Sequence, residues 1–350
     1  MNVKDFDYQL PNGKIAQFPP TIRGDAKLLV LNKVNGDIEH RQYSDLIEYL
    51  EDGDLIVIND TKVIKARLLA NKETGESVEL FLLEKHDDTF SHSREQKVLY
   101  RGKLEDGEQL KLNGSFLTVK EIFEGGFATI QSAANIFDLA KKYGSVPIPP
   151  YLKRGSTALD EQRYQTTFAK YDGSVAAPTA SLNFTNELKI KLKEKGVKVF
   201  SLTLHVGIGT FLPIRTDKLE DHHMHSEFFH IPRETLSAIA KAKQNNRRIV
   251  ALGTTVTRTL EYIASTTPTV FEQRKYTQNI SGEADIFMYP GYTFKIVDVL
   301  LTNFHAPRST VLMLTAAFAG WEKLKNAYDE ALKEDYKFLS YGDSMLILQK

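Results

Sequence analysis

The sequence predicts an α/β protein: a mainly parallel sheet flanked by helices, carrying an inserted small antiparallel β-barrel domain. Two observations carry this. Apolar strand-like runs alternate with amphipathic helical patterns in both the early and the late parts of the chain, as βαβ units do. From Ala66 to Gln131 the alternation stops, and six short β-like runs follow without a helical period. Thr74-Gly75, Asp106-Gly107, Asn113-Gly114 and Gly125-Gly126 punctuate them, a turn density that suits a small barrel. The expected organisation is a discontinuous α/β catalytic domain over 1–66 and 153–350, with the barrel inserted at 67–152.

In chain order, 27–34 reads as a strand ended by the turn pair Asn35-Gly36. Ser44 is placed to cap a short helix that Gly53 closes, and 54–59 is an apolar buried strand. After the barrel, 135–144 reads as a helix stopped by Gly144, and the Pro-rich stretch 145–156 as an extended link back. Then come a helix over 186–195, a strand over 198–206, a helix opened by Pro232 and a strand over 248–253. Thr254-Thr255 open the next helix. Runs 285–289 and 294–301 read as strands around Pro290-Gly291. A helix capped by Ser309, a charged helix over 322–335 and a strand over 344–348 complete the pattern.

Composition narrows the function. The 350 residues carry 45 Lys plus Arg against 45 Asp plus Glu, which disfavours coating nucleic acid by bulk charge and leaves local basic grooves open. Cysteine is absent, which removes disulfide scaffolds, Cys-ligated zinc and thiol nucleophiles. With no apolar run of spanning length and a polar, Pro-containing beginning, the expected setting is the cytoplasm.

Seven stretches carry candidate chemistry. Asn59, Asp60, Thr61 and Lys62 follow a strand, where α/β sheets bind ligands. In 173–185, Thr179 or Ser181 is a candidate cap offering N–H groups to an anion. His205 ends a strand before Gly207 and Gly209, a tight turn without the third glycine of a dinucleotide fingerprint. His222, His225 and Glu227 have metal-ligand types without a complete metal spacing, so a solvated loop competes with a site. Thr254, Thr255 and Arg258 sit at a helix start, where an Arg opposes the dipole unless an anion calls for it. Asn303 and His305 end a strand before a buried helix, and Tyr341-Gly342-Asp343 precedes the last strand. Together they describe a pocket, not yet a reaction.

Taken together and in order, these segments resemble the S-adenosylmethionine:tRNA ribosyltransferase-isomerase family of queuosine biosynthesis. The similarity runs through 15–23, 53–68, 147–154, 163–169, 173–185, 203–211, 222–227, 247–261, 289–305, 308–320 and 336–347. Lys62, Lys65, Asn183 and Ala306 stand where the family usually has Arg, Pro, His and Leu, and 100–107 lacks its usual Arg-Pro-Ala-Lys run. The resemblance implies transfer and isomerisation of the ribosyl part of S-adenosylmethionine onto 7-aminomethyl-7-deazaguanine at the tRNA wobble position. Adenine and methionine leave and epoxyqueuosine-tRNA forms, with the donor as substrate and no metal expected.

That chemistry needs a base for the 5′ carbon beside the sulfonium, an acid for departing adenine, an anion site for the donor carboxylate and a groove for single-stranded RNA. The catalytic candidates are His205, His305, Asp60 and Glu227, the carboxylates to offset the sulfonium. Thr179, Gly207, Gly209, Thr254, Thr255, Arg258 and Asn303 are the donor-binding candidates. Lys62, Arg67, Lys153, Arg154, His222 and His225 are the RNA-binding candidates, on a chain expected to be a monomer. The scheme requires His205, Glu227, Thr255 and His305 to share one cavity. Competing readings are an S-adenosylmethionine-dependent RNA methyltransferase, which alone would pass on a methyl label, a divergent non-catalytic tRNA-binding protein, which would release no adenine, and a metal hydrolase built on the histidine cluster.

Overall fold

The computed structural model of the chain describes residues 1–86, 92–211, 214–272 and 276–349. Before the barrel lie β1 (Lys27–Asn32), β2 (Ile38–Gln42), β3 (Leu55–Asn59) and β4 (Thr61–Val63). The six β-like runs become β5 (Arg67–Lys72), β6 (Ser77–Leu82), β7 (Glu95–Arg101), β8 (Gln109–Leu112), β9 (Ser115–Phe123) and β10 (Phe127–Ser132). They close into an antiparallel barrel in the order β10-β7-β6-β5-β8-β9. Its alternating inward residues, among them Leu68, Val78, Leu80, Val98, Leu117 and Ile130, fill one core. Helix α1 (Ile136–Tyr143) packs on that core, capped by the Asn135 side chain, which accepts from the Asp138 N–H at 3.0 Å.

The rest of the chain supplies α2 (Ala158–Arg163), β11 (Tyr171–Ser174), α3 (Asn186–Glu194), β12 (Lys198–Leu204), β13 (Glu227–Ile231), α4 (Arg233–Gln244), β14 (Ile249–Leu252), α5 (Thr254–Thr266), β15 (Ile280–Ala284), β16 (Val299–Asn303), α6 (Thr310–Ala319), α7 (Trp321–Lys333) and β17 (Ser344–Leu348). Nine strands form one sheet, ordered β15-β13-β12-β3-β14-β16-β17-β1-β2. Its centre is parallel: β12 with β3, β3 with β14, β14 with β16. The flanking pairs β12–β13, β13–β15, β16–β17 and β1–β2 are antiparallel. The central strands read as unbroken apolar runs because both faces are covered. Leu55, Val57 and Ala251 pack on one face, and Ile56, Ile58 and Val250 on the other. A short parallel ribbon, β4 with β11, joins the barrel region to this sheet. Among the described residues no helix is long and apolar enough to cross a membrane.

Four local expectations are corrected. The short early helix is a 3₁₀ helix over Tyr43–Tyr49, and Ser44 does not cap it; the Asp45 carboxylate accepts from the Gln42 N–H instead. Strand β2 and the edge strands β13 and β15 lie where no strand was expected. Residues 285–289 form no strand. In the run 294–301 only the last residues join the sheet, because the buried Glu261 carboxylate accepts from the N–H groups of Lys295, Ile296 and Val297 and so holds that stretch off any ladder.

One electrostatic tie joins the chain just after β6 of the barrel to the sheet edge. His86 Nδ1 lies 3.0 Å from Glu283 of β15, and its Nε2 lies 3.3 Å from Glu84. The Glu84 hydrogen bond, more than the opposing burial, raises the imidazole from 6.5 to about 9. A raised folded-state value gives stability that is complete below pH 6.5 and lost as pH passes through about 9. Wild type is therefore expected to lose stability between these limits relative to His86→Asn, read as the denaturation midpoint across pH. Parallel profiles for the two proteins would contradict the tie.

Candidate active site

The carboxyl ends of β14 and β16 open into a cavity of about 950 Å³. This is the edge where an open α/β sheet binds its ligands, and the volume lies in the range of about 300–1,000 Å³ usual for small-molecule sites. Gly253, Thr254 and Thr255 come from the start of α5, and Thr302 to Ser309 from the end of β16 and the turn into α6. Thr179, Tyr151, Tyr164 and Ser340 also contribute wall. The remaining side is made by 2–4 and 214–217, stretches held together by a Val3 N–H donating to Asp217 at 2.9 Å.

His305 is the imidazole on this wall. Its backbone is fixed at both ends: the N–H donates to the Tyr328 hydroxyl at 3.0 Å, and the Tyr8 hydroxyl donates to its carbonyl. The ring Nε2 lies 2.9 Å from Thr302 Oγ1. Burial lowers the imidazole to about 3, so the ring is neutral at physiological pH and offers a nitrogen lone pair. Asn303, 2 % exposed, donates Nδ2 to the Asp343 carbonyl at 3.3 Å, while its Oδ1 has no partner.

Gly253 departs from the expected cap. It, and not Thr254 or Thr255, is the N-cap of α5, at φ +99°, a conformation L side chains rarely adopt. No side chain caps the helix, so its first N–H groups have no partner within the helix and face the cavity edge. Thr255 Oγ1 instead accepts from Asn59 Nδ2 at 3.2 Å, and Asn59 also donates to the Leu204 carbonyl. Thr179 lies on the wall but caps nothing; Thr185 caps α3.

The cavity gathers only part of the expected set. Thr179, Thr254, Thr255, Asn303 and His305 line it, whereas His205, Asp60, Glu227, Arg258, Gly207 and Gly209 do not. His205 lies one residue beyond β12, and it is its neighbour Val206 that lines the cavity. There its Nδ1 meets Thr61 Oγ1 at 2.8 Å and its ring stacks on Phe228. Burial, with Lys85 beside it, lowers this imidazole to about 3 as well. Asp60 accepts from Thr203 Oγ1 at 2.6 Å, and burial raises its carboxyl above the ordinary value.

Glu227 and Arg258 form a buried ion pair at 2.5 Å. Glu227 also accepts from the Gly207 N–H at 2.9 Å, and Arg258 donates to the carbonyls of Ala284 and His225. The anion that explains an Arg at the start of α5 is thus a side chain of β13. Gly207 leaves room for the Glu84 carboxylate, whose Oε1 a Cβ there would meet at 2.2 Å. Gly209 lies against the ring of His225. His222 packs edge-on against Phe287, His225 is exposed, and no group of three metal-ligand residues forms among the described residues.

A second cleft, about 520 Å³, lies between the barrel and the Pro-rich return segment. Arg67, Arg101, Lys153 and Arg154 line it with Phe81 and Tyr100, and it shares Pro149 and Pro150 with the first cavity. Arg154 is largely engaged, forming a bidentate pair with buried Asp160 and donating to the Gln17 carbonyl. Lys62 lies elsewhere, 3.2 Å from Asp172. Sequence reasoning missed Tyr151, Tyr164, Arg101 and the segments 2–4 and 214–217. They sit in irregular or barrel backbone with no periodicity to mark them.

The chain matches, over residues 3–347, the family described as queuosine biosynthesis protein. It is 54% identical to the S-adenosylmethionine:tRNA ribosyltransferase-isomerase of Chlorobaculum parvum, across 99% of this chain and 100% of that one. The protein of the same name from Sulfurihydrogenibium sp. is 45% identical over the same shares. The crystal structure of S-adenosylmethionine tRNA ribosyltransferase from Thermotoga maritima is similar at a TM-score of 0.56 and 35% identity, over 98% of this chain and 100% of that one.

Proposed function

The chain belongs to the queuosine biosynthesis family and is an S-adenosylmethionine:tRNA ribosyltransferase-isomerase, and we propose that its reaction runs in the cavity at the carboxyl ends of β14 and β16. The ribosyl part of the donor passes to the aminomethyl group of 7-aminomethyl-7-deazaguanine at the wobble position, with adenine and methionine released. What carries the assignment is the meeting, on one wall, of the neutral imidazole of His305, the uncapped start of α5 and the unpartnered oxygen of Asn303.

The sulfonium acidifies the 5′ C–H of the ribose, and a neutral imidazole can accept that proton where an imidazolium cannot. His305 therefore takes the role of acceptor. The protonated ring it becomes is an acid in the same cavity, and giving its proton to departing adenine returns it to the neutral state that burial favours. The donor carboxylate, brought in with the substrate, lowers the cost of the transient charge. Asp217 and Tyr151 line the cavity and replace Asp60 and Glu227 as the groups that offset the sulfonium. His205 acts on structure, holding the β4–β11 ribbon through Thr61.

The basic cleft beyond Pro149 and Pro150 is assigned to the tRNA, with a flipped wobble base crossing those prolines into the cavity. Tyr100 and Phe81 supply surfaces for unstacked bases. Arg101, 74% exposed in its side chain, and Lys153 are the phosphate contacts. Arg101→Ala with Lys153→Ala is expected to weaken tRNA binding and to reduce the slope of log affinity against log salt by about 1–2. An unchanged slope would remove the cleft from the RNA path. A tRNA substrate sets the reaction in the cytoplasm, and we assign the working form as a monomer. Mass spectrometry of tRNA nucleosides, after incubation with S-adenosylmethionine and tRNA bearing the aminomethyl base, tests the function directly. Appearance of the ribosylated base supports it, and a methylated base would overturn it.

A further inference from the structure

The start of α5 and the end of β16 are neighbours. Strands β14 and β16 run parallel with Leu252 opposite Leu301, and the Gly253 N–H donates to the Leu301 carbonyl at 2.8 Å. The uncapped N–H groups of the first turn of α5 and the side chain of Asn303 therefore belong to one corner of the cavity. Asn303 is 2 % exposed, and its amide orientation is set by Nδ2 donating to the Asp343 carbonyl. Oδ1 is left without a partner, although buried amide oxygens are nearly always satisfied. Ser344 Oγ, also unpartnered on the adjoining strand, belongs to a residue that does not line the cavity.

A row of backbone donors with positive helix potential holds a carboxylate, and a lone acceptor beside it holds a cation with N–H groups. An α-amino acid presents these two charges on a single carbon, so a site for it must place donors and an acceptor side by side. We propose that Asn303 Oδ1 and the N-terminus of α5 form the subsite for the amino-acid end of the donor: the ammonium binds at Oδ1 and the carboxylate at the N–H groups of the first turn. This rests on the assignment of the cavity to S-adenosylmethionine. It fixes the orientation of that substrate, with the methionyl end in the corner and the sulfonium directed toward His305, two residues beyond Asn303. The same corner retains L-methionine after the chemical step.

Titration calorimetry with three ligands tests this: S-adenosylmethionine, L-methionine, which lacks the adenosyl part, and 5′-methylthioadenosine, which lacks the amino-acid part. Asn303→Leu is expected to weaken the first two by roughly ten- to a hundredfold, the range of a hydrogen bond to a charged group. Methylthioadenosine binding stays within about twofold of wild type, which also reports that the variant is folded. Asn303→Asp, which keeps an acceptor, is expected to retain methionine binding. Equal weakening of methylthioadenosine would place Oδ1 on the adenosyl part and overturn the proposal, as would unchanged binding of all three. If wild type bound no S-adenosylmethionine, the cavity assignment itself would fall. If wild type bound it and Asn303→Leu bound it equally, only the orientation would.

Discussion

His305→Gln is expected to slow adenine release by about 10²–10⁴-fold in a single turnover, the usual contribution of a positioned acid–base group. Glutamine fills much of the same space and can keep a hydrogen bond to Thr302, but it cannot take up a proton. Substrate binding should change little, because the imidazole acts on a C–H that only reacts in the transition state. His205→Gln is the internal comparison. Its imidazole is likewise lowered to about 3 and neutral, yet it does not line the cavity and bonds Thr61. It should keep the rate within about tenfold and lose stability instead. Because burial holds His305 near 3, its titration should add no limb to the rate profile between pH 5 and 8. A near-normal rate for His305→Gln, or an equal fall for His205→Gln, would move the proton acceptor elsewhere.

Arg258→Met is expected to destabilise the fold by roughly 3–5 kcal/mol, because it strands a buried carboxylate. Glu227 and Arg258 are almost fully enclosed, and the guanidinium also holds the carbonyls of Ala284 and His225. Loss of the pair therefore loosens β13, β15 and the Gly207 turn together. The double variant Glu227→Gln, Arg258→Met removes both charges and should recover much of the loss, since a buried pair costs desolvation that neutral groups do not. The measurement is the urea midpoint of the three proteins. A single variant within about 1 kcal/mol of wild type, or a double variant worse than the single, would contradict a charge-compensation role.

The architecture was legible because it rests on local signals that agree. Turn pairs mark four of the five gaps of the barrel, and the central strands are apolar without alternation. Asn135, Thr185 and Ser309 are the kind of residue that caps a helix, and each caps one that the sequence predicts. The expectations that failed depend on partners distant in sequence. Residues 294–297 look like a strand until Glu261, on α5, takes their N–H groups. His205 and His305 look alike just beyond strand ends, and only the packed structure shows that His305 lines the cavity while His205 bonds Thr61. Arg258 signals an anion correctly, but pattern reading cannot tell a bound ligand from Glu227. Asn303 was visible as a polar strand end. That its oxygen lacks a partner is a property of the packed site alone.

The central claim is that one cavity, at the ends of β14 and β16, holds the sulfonium donor. A crystal structure of the chain with S-adenosylmethionine tests it most directly. The account predicts the methionyl carboxylate at the N–H groups of Thr254 and Thr255 and the ribose 5′ carbon within reach of His305. A donor seated instead against His205, Asp60 and Glu227 would contradict it.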